Sequence, residues 1–483
     1  MSSTVQDPSP LPPPAAFEQA ETEFLASYPE YQQTSELDEL RAAEYPNLDA
    51  QDHAYLDYTG GGLYASSQIR EHVRLLEGHL FGNPHSGNPT SRTMTLLVEK
   101  ARRAVLDYFN ASPEEYAAVF TANASTALKL IGEAYPFGKG DHYLLTFDNH
   151  NSVNGIREFT RAKEAEIAYV PLALPQMRVD DSQLEKHLGL SASGQHNLFA
   201  YPAQSNFSGV QHPLEWIAKA QDKGWDVLLD AAAFVPTNRL DLSRWHPDFV
   251  SLSFYKMFGY PTGVGCLLAR REALAKLHRP WFSGGTITVA SVQGDRYYMA
   301  EGSSAFEDGT VNYLNIPGVE IGLRHLESIG IGKIHERCRC LTAWLIDQLL
   351  TLHHANGQPL VRIYGPAGTE NRGATVTMNF YDADDAVIEH LQIEEEASQA
   401  SISLRTGCFC NPGGGETALQ LSRTELIGCF NQPRVLESDR FTPDDFRLCV
   451  DGKSTGAVRV SLGLASNFRD VYRFVRFAEK FGK

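Results

Sequence analysis

The stretch WDVLLDAAAFVPTNRLDLSRWHPDFVSLSFYKMFGYPTGVG, residues 225–265, decides the fold. It holds two short runs that are apolar almost throughout, WDVLLD (225–230) and DFVSLSF (248–254). Such runs fit strands of a sheet that is buried on both faces. The first ends in Asp230, and the second is followed at once by Tyr255 and Lys256, then by Gly259, Gly263 and Gly265. Upstream the style repeats in AAVF (117–120), HYLLTF (142–147) and NLFAYP (197–202), with helical patterns such as STALKLIGEAY and PLEWIAKAQDKG in between. Strands alternating with helices predict an α/β fold with a mostly parallel sheet covered by helices on both faces.

In an open α/β sheet the carboxyl ends of the strands face the ligand crevice, so Asp230 and Lys256 are expected at one rim. That pair fits a pyridoxal 5'-phosphate site. The lysine forms an imine with the cofactor, and the carboxylate keeps the pyridine nitrogen protonated so that the ring accepts electrons from a substrate carbanion. The bare spacing also fits a surface ion pair. FTANASTALKL (120–130) reads as strand, small-residue turn and helix. Backbone N–H groups at that helix start, with the Ser125 and Thr126 hydroxyls, suit a phosphate; a plain N-cap by Ser125 suits the same residues. In TFDNHNSV (146–153), His150 stands just past a strand end, where a flat ring can stack on a cofactor or serve structure alone.

The chain's 483 residues exceed one ordinary core and allow two or three domains. Hydrophobic residues make up 42% and the net charge is −17, with no block of Lys or Arg. An acidic surface repels phosphate backbones, which argues against nucleic acid as a partner. No apolar run is long enough to suggest a membrane span. The start, SSTVQDPSPLPPPAA, lacks the basic and apolar parts of a signal peptide. Seven cysteines without such a signal point to reduced thiols and a cytoplasmic location. Cys338 and Cys340 on an apparent helix, and Cys266 in an apolar strand, read as structural. The expected organisation is a disordered Pro-rich tail (1–16), a helical segment (17–53), a large domain (54–317) and a smaller α+β domain (318–483) opened by one long helix over 318–352.

Taken in order, Ser125, His150, Asn206, Asp230, Lys256, Gly309-Thr310, Cys410 and Arg459 resemble the class V aminotransferase-fold enzymes, fold-type I proteins that include cysteine desulfurases. Within them the likeness is greatest to the N-terminal domain of molybdenum cofactor sulfurases. It rests on FLASYPEYQQTSELDELRAAEYPNL, YLDYTGGGLY, FGNPHSGNPTS, DNHNSV, YPAQSNFSG and RTGCFCNPG, and spans roughly residues 22 to 470. The resemblance implies a seven-stranded large domain. It implies that Ser125 and Ser253 bind the cofactor phosphate, with Thr126 beside them. His150 would stack on the ring, Asn206 meet the ring hydroxyl, Asp230 pair with the ring nitrogen and Lys256 carry the cofactor. Thr310 would reach the phosphate of a second subunit, making a homodimer. Arg459 would grip the substrate carboxylate with its two-pronged guanidinium. Cys410 would take sulfur from L-cysteine as a persulfide, a step that needs a thiolate, which Arg405 at the loop's edge favours. Cys408 is not given a direct role. A metal is not expected, because Cys-x-Cys lacks the usual zinc spacing and a second pair.

Three positions depart from that pattern. Ala233 stands where many desulfurases place Gln or His, and Tyr255 precedes the lysine where several have His. The third cysteine of the sulfurases' NPGxC stretch is missing from Asn411-Pro412-Gly413-Gly414-Gly415-Glu416. The sulfurases also carry a C-terminal domain for the molybdenum cofactor, and this sequence runs little beyond the shared blocks. The expected activity is therefore desulfuration of L-cysteine to L-alanine, with a sulfur-acceptor protein or cofactor downstream. Alternatives are another class V reaction (a C–S or C–N lyase, an epimerase or an aminotransferase) or a partner-dependent sulfur-carrier subunit.

Overall fold

Seven strands build the central sheet: β1 (Tyr116–Thr121), β2 (His142–Thr146), β3 (Glu166–Val170), β4 (Asn197–Pro202), β5 (Trp225–Asp230), β6 (Phe249–Ser253) and β7 (Gly265–Arg270). The computed structural model describes residues 14–84, 86–192, 194–432, 441–449 and 455–482. The strand order is β1-β7-β6-β5-β4-β2-β3. The run from β6 to β3 pairs in parallel, while β7 runs antiparallel to β1 and β6. Residues on both faces of β1, β4, β5 and β6 are buried, which is why these strands are mostly apolar instead of alternating. The expected α/β class holds.

A second sheet, of five strands, lies later in the chain. Its main path is β8 (Val361–Tyr364), β9 (Thr375–Tyr381), β11 (Ala457–Ser461) and β10 (Arg405–Gly407). Residues 54–57 reach this part of the molecule from the other end of the sequence: Ala54 and Tyr55 pair with Ile402 and Ser403, and Asp57 bridges Ser461. Helix Phe468–Ala478 buries one apolar face beneath the N-terminal helices, where the Phe24 ring stacks on Phe468 at 4.6 Å. Arg41 closes that contact with an ion pair to Asp470 at 2.5 Å.

Several expected boundaries move. The single helix over 318–352 is two, Pro317–Ile329 and Ile331–Thr351, because Gly330 sits at φ +89°, where the α-helix cannot continue. The N-terminal helical segment is likewise broken, with helices at Pro14–Ser27 and Glu36–Glu44 and a 3₁₀ turn at Pro29–Thr34. Pro29 has no N–H to extend the first helix. That helix starts inside the expected tail, and residues 1–13 lie outside the described residues. Reduced thiols were expected throughout, but Cys429 and Cys449 form a disulfide. Two short helices bring their Cα atoms to 5.3 Å, a normal bridging distance that a 20-residue separation in sequence does not reveal. Cys266, Cys338 and Cys340 are free and buried. No described helix is long and apolar enough to cross a membrane.

Candidate active site

A cavity of about 420 Å³ opens at the carboxyl ends of the parallel strands, a size usual for small-molecule sites. Asp230, the last residue of β5, and Ser253, the last of β6, line it. Phe254 does not extend β6 as expected but starts a short helix, Phe254–Phe258, whose third residue is Lys256. The turn is tight. Gly259 has φ +77°, and a Cβ there would lie 2.4 Å from the Leu63 carbonyl carbon, so only glycine lets the 59–64 segment pack over the lysine.

The Asp230 carboxylate is buried and held in place: its Oδ1 accepts from the Ser251 hydroxyl at 2.8 Å and the Ala232 N–H at 3.1 Å. Lys256 lies below its usual pKa, chiefly because burial disfavours the ammonium, although Asp230 acts against this. That direction favours the neutral amine that imine formation or proton acceptance needs. His150 also lies below its usual pKa through burial, opposed by Asp230 and reinforced by Lys256 and Arg459. Its Nδ1 accepts from the Ser152 N–H at 3.1 Å, which leaves the ring facing the cavity it lines.

The turn Ala122–Ser125 also lines the cavity. Gly265 of β7 passes so close that a Cβ would meet the Asn123 backbone at 2.4 Å. The N-cap of helix Ala124–Ala134 is Asn123, whose Oδ1 accepts from the Thr126 N–H at 2.9 Å. The alternative of an N-cap by Ser125 is thereby corrected: its hydroxyl instead faces that of Ser152, 2.6 Å away, and is left to the cavity. Thr126 is engaged by Asn123 through both N–H and hydroxyl and does not line the cavity. Thr310 does not line it either; within this chain its hydroxyl accepts from Asn83 at 3.3 Å.

Cys410 does not line the cavity; it sits in an exposed loop with Cys408, bonded to the segments that do. Phe409 and Cys410 both adopt positive φ, +56° and +55°, a conformation that costs non-glycine residues about 1–2 kcal/mol each and persists only when surroundings enforce it. The enforcing contacts are plain. The Asn151 N–H donates to the Cys410 carbonyl at 2.7 Å, and Asn206 Nδ2 donates to that of Phe409 at 2.8 Å. The buried Asn411 side chain donates to Asp148 O at 2.7 Å and Asn206 Oδ1 at 2.8 Å. Arg459 is buried under the Phe409 ring, 4.6 Å from its centroid. Its Nη1 donates to Asn206 O and its Nη2 to Asp57 Oδ1, both at 3.0 Å. Desolvation lowers its pKa to about 10, with Asp57 opposing, so it stays cationic at neutral pH.

Five residues of this arrangement were not singled out in the sequence. Asp57 joins Arg459 to Arg405, whose Nη2 it meets at 2.6 Å. Asn411, Gln204 and Ser152 complete the surroundings. Ser251 was legible: in a strand, residues two apart share a face, so Ser251 points with Ser253 toward the rim that Asp230 occupies.

The sheet order, with a cavity lined by Asp230, Ser253 and Lys256 at its carboxyl rim, is that of a class of α/β enzymes, and the sequence comparison names it. Residues 54–474 match the family described as aminotransferase class-V, and the chain belongs to that family. It is 36% identical over 492 residues to a molybdenum cofactor sulfurase of Solanum lycopersicum, covering 96% of this chain and 59% of that protein. A Bos taurus molybdenum cofactor sulfurase is 37% identical, over 91% of this chain and 51% of its own length. The chain thus spans about half the length of these relatives. Among solved structures, a cysteine desulfurase from Thermococcus onnurineus NA1 superposes with TM-score 0.74 at 23% identity, over 92% of this chain and 97% of that one. A cysteine desulfurase from Escherichia coli gives 0.71 at 18% identity, over 92% and 98%.

Proposed function

We propose that the chain is a pyridoxal-phosphate-dependent cysteine desulfurase. The cavity fits that cofactor: an amine of lowered pKa stands near a fixed carboxylate, and the Ala122–Ser125 turn lines it, packed so closely on Gly265 that a Cβ there would displace the turn. Lys256 would hold the group covalently and His150 lie against its ring. Asp230 would hold the proton on its nitrogen, Asn206 meet its hydroxyl, and Ser125 and Ser253 receive its phosphate. When bound, the cofactor supplies an electron sink for the substrate's Cα. Lys256 then moves the Cα proton, and Arg459 orients the substrate carboxylate. The Cys410 thiolate bonds to the substrate sulfur as the Cβ–S bond breaks. The electron pair and a proton go to Cβ, so cysteine plus a thiol gives alanine plus a persulfide, with no outside oxidant or reductant.

The observation that carries this reading is the bonding of the cysteine loop to the cofactor-side turns, through Asn151 to Cys410 O and Asn206 to Phe409 O. A lyase or aminotransferase has no need of a thiol there. The deciding experiment is Cys410→Ser. It should take up the cofactor and bind L-cysteine, yet lose nearly all alanine production, and wild type exposed to cysteine should carry one added sulfur on the Cys410 peptide. Alanine formed at the wild-type rate without a persulfide would replace this reading with another class V reaction. The relatives' name makes the molybdenum cofactor the first acceptor to try for that sulfur.

A homodimer accompanies the proposal. The hairpin Ile287–Ser291/Arg296–Met299 exposes Val289, Val292, Tyr297 and Tyr298, more apolar surface than a lone hairpin usually shows water. Gly309 is tied to the same region by its N–H to Gly284 O at 2.9 Å, so Thr310 would be carried into a partner's site. Dilution to monomer should release the cofactor, and a monomer that retains it as tightly would remove Thr310 from the phosphate.

A further inference from the structure

Behind Gln204, which lines the lysine-rim cavity and accepts from Asn238, a much smaller cavity of about 10 Å³ lies between the turn at Thr237-Asn238, helix Ile331–Thr351 and residues 369–374. It has room for about one water-sized body. Arg372, which lines it, is 4% exposed. Its Nη2 donates to two carbonyls, Ser208 O at 2.8 Å and Thr375 O at 2.9 Å. Among the described residues its Nε and Nη1 have no hydrogen-bond partner, and neither does the hydroxyl of Thr342, 1% exposed and lining the same cavity.

The charge is as unbalanced as the hydrogen bonds. Among the described residues no carboxylate lines the cavity, and none forms an ion pair with Arg372. Burial lowers its pKa to about 9, and the nearby charge of Arg178 pushes in the same direction. The other lining cation, Arg339, has its own partner in Glu336 at 2.6 Å. His335 is turned to Asn238 Oδ1 at 3.0 Å. A guanidinium taken out of water needs a counter-charge, because burial strips its hydration without replacing it.

We infer that this cavity binds one small monovalent anion, chloride in ordinary buffers, between Arg372 and the Thr342 hydroxyl. Size excludes sulfate or phosphate. A water could accept from the same donors but would leave the charge unanswered. The anion would support a junction that matters: Arg372 Nη2 joins Ser208, two residues past Asn206, to Thr375 of β9.

The test uses the full-length purified protein. Crystals soaked in sodium bromide should show anomalous density in this cavity, and a water at full occupancy there would overturn the inference. In solution, the unfolding midpoint should be about 2 °C higher in sodium chloride than in sodium gluconate of equal ionic strength. Equal midpoints would overturn it. Arg372→Gln removes the charge and is expected to remove the chloride effect. Because that variant risks misfolding, Thr342→Val serves as the milder one, and its chloride effect should fall by about half. A chloride effect of full size in Thr342→Val would place the anion elsewhere and sink the proposal.

Discussion

The lysine rim and the cysteine loop adjoin one site but are held in opposite ways. Asp230, Ser253 and Lys256 hang from the ends of two central strands, so the sheet's own hydrogen bonds and its buried side chains fix them. Cys410 hangs from a loop with consecutive left-handed residues, exposed at both cysteines, and polar contacts to distant segments hold it there. Chemistry common to a whole family can sit on rigid, regular structure. On the proposed reading, a thiol that would meet the substrate and then hand sulfur onward needs an exposed position, and its order then depends on a few named hydrogen bonds.

The largest effect should come from the rim. Lys256→Ala removes the amine that would both hold the cofactor and move the Cα proton, so turnover should fall by about 10³-fold or more. The absorption of lysine-bound cofactor should vanish with it, as read by spectroscopy and alanine assay on the same sample. Activity within tenfold of wild type would mean that another amine does this work, and the contrast between the two regions would lose its first half.

The fold was legible because its evidence is local. WDVLLD and NLFAYP are apolar almost throughout, and their bounds as strands came out at the residues read from the sequence. The breaks at Pro29 and Gly330 were missed although both residue types announce them, since long amphipathic patterns on either side read as continuous. Asp230 and Lys256 were legible as strand-end residues. Cys410 was reached only through the resemblance of the RTGCFC block, for nothing local sets it apart from Cys408. Asp57 and Asn411 were not legible at all. Asp57 meets Arg405 and Arg459 from 348 and 402 residues away, and Asn411 meets Asp148 from 263 away. Periodicity cannot carry such information.

Asn411 tests the loop half of the comparison with a smaller change. Asn411→Ala leaves Lys256 and Asp230 untouched but strips donors from Asp148 O and Asn206 Oδ1. Loss of such buried bonds is worth about 1–3 kcal/mol. If the loop is held as described, alanine production should fall by about tenfold in kcat with KM for L-cysteine unchanged. Cofactor absorption should stay normal, and iodoacetamide should alkylate Cys410 faster. A rise in KM alone, or loss of cofactor, would show that Asn411 supports the rim and not the loop.

The smallest effect concerns His150, which belongs to both regions: it lines the cavity, and its neighbour Asn151 holds Cys410 O. Burial keeps its folded pKa below the ordinary 6.5, with Lys256 and Arg459 adding to the effect and Asp230 opposing it. The sign follows from that direction. Above pH 6.5 the imidazole is neutral whether the chain is folded or unfolded, and it adds no pH dependence. As pH falls below 6.5 the unfolded chain takes up a proton before the folded one does, so stability falls, and it goes on falling until the pH passes the folded pKa. Cofactor-free protein should therefore melt at lower temperature at pH 5.5 than at pH 7.5. His53, His187, His325 and His390, whose pKa values burial also lowers, contribute to that slope, so the informative quantity is the difference made by His150→Gln. The variant should lose less between the two pH values than wild type, by an amount on the order of 1–2 °C. Identical slopes would mean that the ring is not held neutral where it stands. A steeper slope in the variant would mean that Asp230 outweighs burial and that His150 is charged in the folded protein, so that the rim would offer a cation where the proposed function places a neutral ring.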